Sequence, residues 1–192
     1  MIARSLGLLC IVVVLALSGI AAGQDIRIVR LAWVQGDVQF YRSSAIGWEP
    51  AINNINIGGD IRVRAAEFSS AVVELEDGSS IRLDGPAQVS LHLSESIDGA
   101  PVNRVEIHTG VVEISAVLAA RADFRVRDRL GSTYVIAQPS TVRFRVDAQA
   151  ASLNVIEGEV EAWGAGGYSL LRDGESYSYK LPKPKRTTRR SR

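Results

Sequence analysis

Hydrophobic and polar residues alternate along most of this 192-residue chain. Val142, Phe144 and Val146, for example, alternate with Arg143 and Arg145. Alternate side chains of a β-strand lie on one face of the sheet, so this pattern indicates strands with one buried face. Turn-forming Gly and Asp residues interrupt the pattern about every 8–12 residues, which is typical of all-β proteins. The pattern predicts a single all-β domain of many short strands, arranged as a β-solenoid or a sandwich.

A short motif, apolar-x-Gly-x-Val, recurs along the chain. It covers residues 34–38 and 156–160, and a looser copy lies at residues 107–113. A glycine inside a strand fits a point where the strand bends, and the Val that follows fits a return to the core. The three copies suggest successive layers of one architecture. The alternative is that unrelated strands use the same kind of glycine turn.

The N-terminal residues 1–23 have the pattern of a secretory signal peptide. A positive charge at Arg4 precedes an apolar run, and small residues follow up to Gly23, so cleavage is expected near Gly23. An uncleaved membrane anchor is the alternative. The only cysteine, Cys10, lies in this segment, so the mature chain is expected to lack disulfides and Cys-based metal sites. We therefore expect an exported protein of the periplasm or cell envelope, with its all-β domain at residues 24–180.

The net charge of +1 hides an uneven distribution along the chain. Residues 24–179 carry a net charge of −7, whereas residues 180–192 carry +7. The composition of the C-terminal residues, rich in Lys, Arg and Pro, predicts a disordered basic tail at residues 181–192. The tail is expected to contact an anionic surface such as acidic lipid, or the acidic body of the same chain. An exported protein is not expected to bind nucleic acid.

Several motifs in the first half of the chain resemble, by their order and spacing, the FecR-type periplasmic domain. These motifs are Gly36-Asp37-Val38, Trp48-Glu49-Pro50-Ala51, Gly59-Asp60-Ile61, Leu75-Glu76-Asp77-Gly78-Ser79 and Ile81-Arg82-Leu83. Elements at residues 105–112 and 155–160 extend the resemblance over most of residues 30–163.

The resemblance implies an all-β, partly solenoid-like module on the envelope side of the inner membrane. In its best-known members this module receives a signal from an outer-membrane transporter and controls a sigma factor in the cytosol. The hydrophobic pattern of residues 24–192 contains no membrane-spanning segment, so we expect the stand-alone exported form of the domain.

The sequence contains no recognisable catalytic or metal-binding motif. Its two histidines, His92 and His108, lie at polar positions of predicted strands, without the neighbours that a metal site requires. Serine residues are numerous but lack the motifs of serine hydrolases. We therefore expect a non-enzymatic protein without a cofactor or a bound metal.

Two kinds of side chain are candidates for binding a partner. Trp48 precedes a predicted turn and is the tryptophan most expected to be exposed, where it could anchor a protein or stack on a sugar. Four arginines lie on the polar faces of their strands and could form one stripe that clasps an acidic partner: Arg125, Arg127, Arg143 and Arg145. The alternatives are packing of Trp48 over a hairpin and pairing of the arginines with acids on adjacent strands.

The leading hypothesis from the sequence is an exported binding or scaffold module that acts by protein–protein interaction. A second hypothesis is the envelope-side component of a cell-surface signalling system that regulates a sigma factor. A third is a protein that binds the cell wall or a polysaccharide.

Overall fold

The computed structural model describes residues 27–42, 46–95, 99–118, 123–164 and 167–181. Every regular element in these ranges is a β-strand, which confirms the all-β class. No helix among them is long and apolar enough to span a membrane. The predicted signal peptide and residues 182–192 of the predicted tail lie outside the described residues.

The strands are short except for two of 16 residues each at the centre of the chain. The first seven are β1 (Ile28–Gln35), β2 (Val38–Tyr41), β3 (Trp48–Pro50), β4 (Ile55–Gly58), β5 (Ile61–Ala65), β6 (Ser70–Leu75) and β7 (Ser80–Glu95). The others are β8 (Pro101–Ala116), β9 (Asp123–Asp128), β10 (Thr133–Ile136), β11 (Ser140–Val146), β12 (Ala150–Glu157), β13 (Glu159–Gly164), β14 (Gly167–Arg172) and β15 (Ser176–Lys180).

All of these strands belong to one hydrogen-bonded sheet that folds into two layers. Layer I has the strand order β4-β1-β6-β7-β8-β11-β12-β15. Layer II has the order β3-β2-β5-β7-β8-β9-β10-β13-β14. The long strands β7 and β8 belong to both layers. Residues 80–84 of β7 pair with β6, and residues 87–91 of the same strand pair with β5.

One strand distinguishes layer II from layer I. In layer I, β11 pairs directly with β8, but in layer II β9 separates β8 from β10. The β8–β9 pair is parallel, whereas the other described strand pairs are antiparallel. A β-solenoid stacks parallel strands coil after coil. Of the two predicted architectures, the folded antiparallel sheet therefore corresponds to the sandwich.

The core lies between the two layers because each strand buries one face. In β5, Ile61, Val63 and Ala65 are buried and the arginines between them are exposed. The buried apolar side chains of both layers form a single cluster. Tyr134 of layer II, for instance, packs against Phe144 of layer I with ring centroids 5.0 Å apart. Burying each large apolar side chain contributes about 1.5–3 kcal/mol, so this cluster is the main stabilising interaction.

The backbone crosses between the layers at the glycines of the repeated motif. Gly36 lies between β1 and β2, Gly158 between β12 and β13, and Gly110 within β8, with φ of +79°, +98° and +101°. A Cβ at Gly110 would lie 2.3 Å from the carbonyl oxygen of Pro86, and one at Gly158 would lie 2.1 Å from Ser140 Oγ. The predicted bend at each glycine is therefore confirmed.

Two of these crossings share a further contact. Ser69 Oγ accepts a hydrogen bond from the Asp37 amide at 2.9 Å, and Ser140 Oγ accepts one from the Glu159 amide at 3.1 Å. Each serine is buried and immediately precedes or begins the strand that pairs with the crossing strand. The contact satisfies a backbone donor that the bend removes from the sheet ladder.

We expect Gly110→Ala to lower the free energy of unfolding by about 3 kcal/mol, since it combines an unfavourable φ with a backbone clash. Gly131→Ala is the matched control, because Gly131 has φ of +92° but open space around its Cα. The control should cost about 1 kcal/mol from backbone strain alone. Urea unfolding measures both values, and equal losses would contradict the close approach at the crossing.

Candidate functional site

The outer face of layer I is rich in charge, and most of its arginines are paired with acids. Two ion pairs join residues that face each other on adjacent strands, Arg30–Glu74 and Arg143–Glu113 at 2.6 Å. A third joins two residues of the same strand, Arg82 and Asp84, at 3.1 Å. Exposed pairs of this kind contribute little to stability, yet they neutralise the surface.

The outer face of layer II carries arginines that are largely unpaired. Two exposed arginines at its edges, Arg42 and Arg172, form ion pairs with acids. The other exposed arginines of this layer are Arg62, Arg64, Arg104, Arg125, Arg127 and Arg129. Arg125 forms an ion pair with Asp123 at 2.8 Å. Arg104 and Arg127 form no ion pair with any residue that the structure describes. This face therefore presents arginines that have no ion-pair partner among the described residues.

A groove of about 510 Å³ lies over the parallel β8–β9 pair. We call it the arginine groove, and its polar lining consists of Asp60, His92, Ser94, Arg104, Glu106, Arg125, Arg127 and Thr133. Arg104 and Arg125 are register partners on the two parallel strands. A second hollow of about 300 Å³ shares Glu106 and Arg127 with the groove and extends it towards Arg129. The groove lies where β9 is inserted into layer II.

A buried carboxylate holds the turn that follows β9 beside the groove. Asp128 is 4% exposed, and its Oδ1 accepts hydrogen bonds from the amides of Leu130 at 2.8 Å and Ser132 at 3.0 Å. Its Oδ2 accepts a hydrogen bond from the Tyr134 hydroxyl at 2.8 Å. Burial, followed by the charge of Asp128, raises the pKa of Tyr134 far above its usual value. The hydroxyl therefore remains a donor, and the turn is fixed.

Both histidines lie on the same outer face. His92 Nδ1 is 2.9 Å from Asp60 Oδ2, and Asp60 also accepts a hydrogen bond from the Leu93 amide. His108 Nε2 is 2.7 Å from Ser90 Oγ. Ser90 is only 2% exposed, so its hydroxyl has no access to a substrate. No group of three or more potential metal ligands occurs in the described ranges.

Aromatic residues lie at both ends of this face. Trp48 on β3 is half-buried, because Arg64 lies 4.2 Å above its ring centroid and Tyr41 packs beside it. At the opposite edge, Trp163 and Tyr168 pack with ring centroids 4.5 Å apart and are about half exposed. The arginine groove lies between these two aromatic groups.

The prediction that Trp48 is the most exposed tryptophan is wrong. Trp33 and Trp163 expose 41% and 50% of their surface, whereas Trp48 is half-buried. The stacked guanidinium of Arg64 comes from β5, a strand that pairs with β2 and not with β3 itself. The covering group therefore depends on sheet order.

A model of the FecR protein family matches residues 61–161, which is more than half of the chain. The chain belongs to the FecR family. The matched region runs from β5 into β13 and contains all three arginines of the groove, whereas Trp48 lies outside it.

Two crystal structures have a similar fold, and both are of a putative anti-sigma factor from Parabacteroides distasonis. One has a TM-score of 0.51 with 62% of this chain covered, and the other has a TM-score of 0.52 with 63% covered. Both are 14% identical in sequence to this FecR-family chain. At this low identity the similarity shows the fold alone. It spans 59% and 60% of the lengths of those chains. A search of curated proteins found no match.

In this FecR-family chain the four predicted arginines do not form one stripe. Arg125 and Arg127 lie on β9 in layer II, whereas Arg143 and Arg145 lie on β11 in layer I. The prediction of a shared stripe is therefore wrong, because β9 pairs with β8 and β10 and forms no strand pair with β11. The alternative of pairing with acids describes Arg143, which binds Glu113.

Arg104 of the groove was not predicted from the sequence. It lies on β8 beside polar Asn103, which is completely buried and accepts a hydrogen bond from Arg27 at 2.7 Å. Because a polar residue occupies this inward position, the sequence pattern did not indicate that Arg104 faces outwards. Its closeness to Arg125 depends on the parallel pairing of β8 and β9, which no local pattern indicates.

The protonation of His108 is expected to make the stability of the fold depend on pH. Burial, aided by the positive charges of Arg62 and Arg129, lowers the pKa of His108, although Glu106 opposes the shift. The unfolded chain, with a histidine pKa of about 6.5, therefore binds more protons than the folded chain as the pH falls. The stability contributed by neutral His108 is present above that value and is lost as the pH falls through the folded pKa.

We expect His108→Gln to flatten the pH dependence of stability, because glutamine can keep a hydrogen bond to Ser90 but does not titrate. Urea unfolding between about pH 7 and pH 5 should show a smaller loss of stability in the variant than in the wild type. An equal loss in both proteins would contradict the assignment.

Proposed function

We propose that this FecR-family chain is an exported, non-enzymatic binding module of the bacterial envelope. In this proposal it acts in cell-surface signalling by binding a protein partner through the arginine groove. The predicted signal peptide at residues 1–23 supports the envelope location. The basic segment at residues 181–192 would add an auxiliary contact to an anionic surface.

The observation that carries the proposal is the difference between the two outer faces. On layer I, three exposed arginines pair with acids and Arg145 has no ion pair with a described residue. On layer II, Arg104 and Arg127 lie beside a groove and form no ion pair with any residue that the structure describes. Unpaired guanidiniums in a concave site focus positive potential and are available to carboxylates of a partner. The same charges would speed association with an acidic surface.

The arrangement around the groove suits binding better than chemistry. The one serine–histidine contact on this face buries the serine hydroxyl, so a nucleophile is not presented to a ligand. The Asp128 carboxylate is fully used by the turn and by Tyr134. These groups position the groove wall, which a binding site requires to be rigid.

The experiment is complementation of a gene deletion, with transcription as the readout. We expect deletion to change the transcription of a limited gene set and the wild-type chain to restore it. The double variant Arg104→Gln/Arg127→Gln should fail to restore transcription, because it removes the unpaired charges of the groove. Arg145→Gln is the matched control and should restore it, because Arg145 lies on layer I and forms no ion pair within the described ranges.

Two results would contradict this proposal. One is a deletion without any transcriptional effect, which would exclude the signalling role. The other is equal restoration by the double variant and the control, which would exclude the groove as the binding surface. Immunoblotting of the periplasmic fraction confirms that each variant reaches the same level.

A further inference from the structure

We propose that the arginine groove receives an extended acidic segment of the partner, with carboxylates on alternate residues. This inference rests on the proposed function, since it assigns the chemistry of the segment that the groove binds. It is carried by the spacing of the arginines on β8 and β9 and by the distribution of acids around them.

The spacing of two arginines matches the period of an extended peptide. Arg125 and Arg127 are alternate residues of β9, and both side chains are exposed on the outer face of layer II. Alternate residues of a strand lie about 6.6 Å apart along its axis. A ligand in extended conformation presents its alternate side chains at the same interval. Two carboxylates separated by one residue can therefore face Arg125 and Arg127 together.

A third arginine strengthens one end of this arrangement. Arg104 is the register partner of Arg125 on the neighbouring strand, and neighbouring strands lie about 4.8 Å apart. The guanidinium of Arg125 already forms an ion pair with Asp123 at 2.8 Å. Arg104 has no such partner among the described residues, so it is the group that supplies charge at this end. A guanidinium can bind a carboxylate through two parallel hydrogen bonds.

Two acids line the groove, and the one on β8 acts against a ligand of this kind, whereas Asp60 lies 2.9 Å from His92 Nδ1. Glu106 is the register partner of Arg127 and lies two residues after Arg104 on β8. It forms no ion pair with any residue in the described part of the chain, so its charge repels an incoming carboxylate. Such a repulsive element makes binding depend on where the acids of the ligand lie. Neutralising Glu106 should therefore strengthen binding, opposite to the effect of removing an arginine.

The test measures binding of short fluorescent peptides to the full mature chain by anisotropy. The probe is an otherwise neutral threonine peptide with two glutamates separated by one threonine. The control peptide has the same composition with its two glutamates adjacent, so that only one of them can face β9. The basic segment at residues 181–192 is present in every protein and does not affect the comparison between variants.

We expect the probe to bind more tightly than the control peptide. Arg104→Gln and Arg127→Gln should each weaken binding of the probe by about ten-fold, the effect of losing a charge-assisted hydrogen bond. Glu106→Gln should strengthen it by about three-fold. Arg145→Gln, with the same charge change on layer I, should leave it within about two-fold.

Several results would overturn this inference. These are equal affinity for the two peptides, an equal effect of Arg145→Gln and Arg127→Gln, and weaker binding in Glu106→Gln. Displacement of the probe by polygalacturonate at lower carboxylate concentration than by the free peptide would also overturn it, since the ligand would then be an acidic glycan. If the peptide fails to bind but Arg104→Gln/Arg127→Gln still fails to restore transcription, only the ligand assignment is wrong and the proposed function stands.

Discussion

The close approach of backbone segments where the chain passes between the two layers is the constraint on which the rest of the structure depends. At Gly36, Gly110 and Gly158 the sheet bends, and at Gly110 and Gly158 a Cβ would overlap a neighbouring strand. Each long strand contributes to both layers, and one hydrophobic cluster fills the space between them. The crossings thus decide which residues of each strand face outwards.

The outward faces then differ because the layers contain different strands. In layer I, β8 and β11 are neighbours, and their charges form the pair between Glu113 and Arg143. In layer II, the insertion of β9 places Arg125 and Arg127 beside Arg104, and of these three only Arg125 forms an ion pair among the described residues. The same alternation of apolar and charged residues therefore yields mostly paired arginines on one side and, on the other, a groove lined by arginines that have no ion pair among the described residues.

Local patterns predicted much of this fold and little of the candidate site. The period of two indicated the strands, and the repeated glycine motif indicated the bends, since both depend on residues close in sequence. Arg125 and Arg143 look alike in the sequence, and only long-range strand pairing separates them into different layers. The cover that Arg64 gives to Trp48 has the same origin. Because the order of strands in a sheet depends on residues far apart in the sequence, the groove could not be predicted before the fold was known.

Site-specific photo-crosslinking in living cells tests the central claim, that the arginine groove is the surface that binds a protein partner. A photoreactive benzoylphenylalanine replaces Thr133, which lines the groove, or Ser152, which lies on layer I beside Arg145. We predict a discrete protein adduct from position 133 and none from position 152. Adducts of equal yield from both positions, an adduct from position 152 alone, or an adduct to polysaccharide in place of protein would contradict the account.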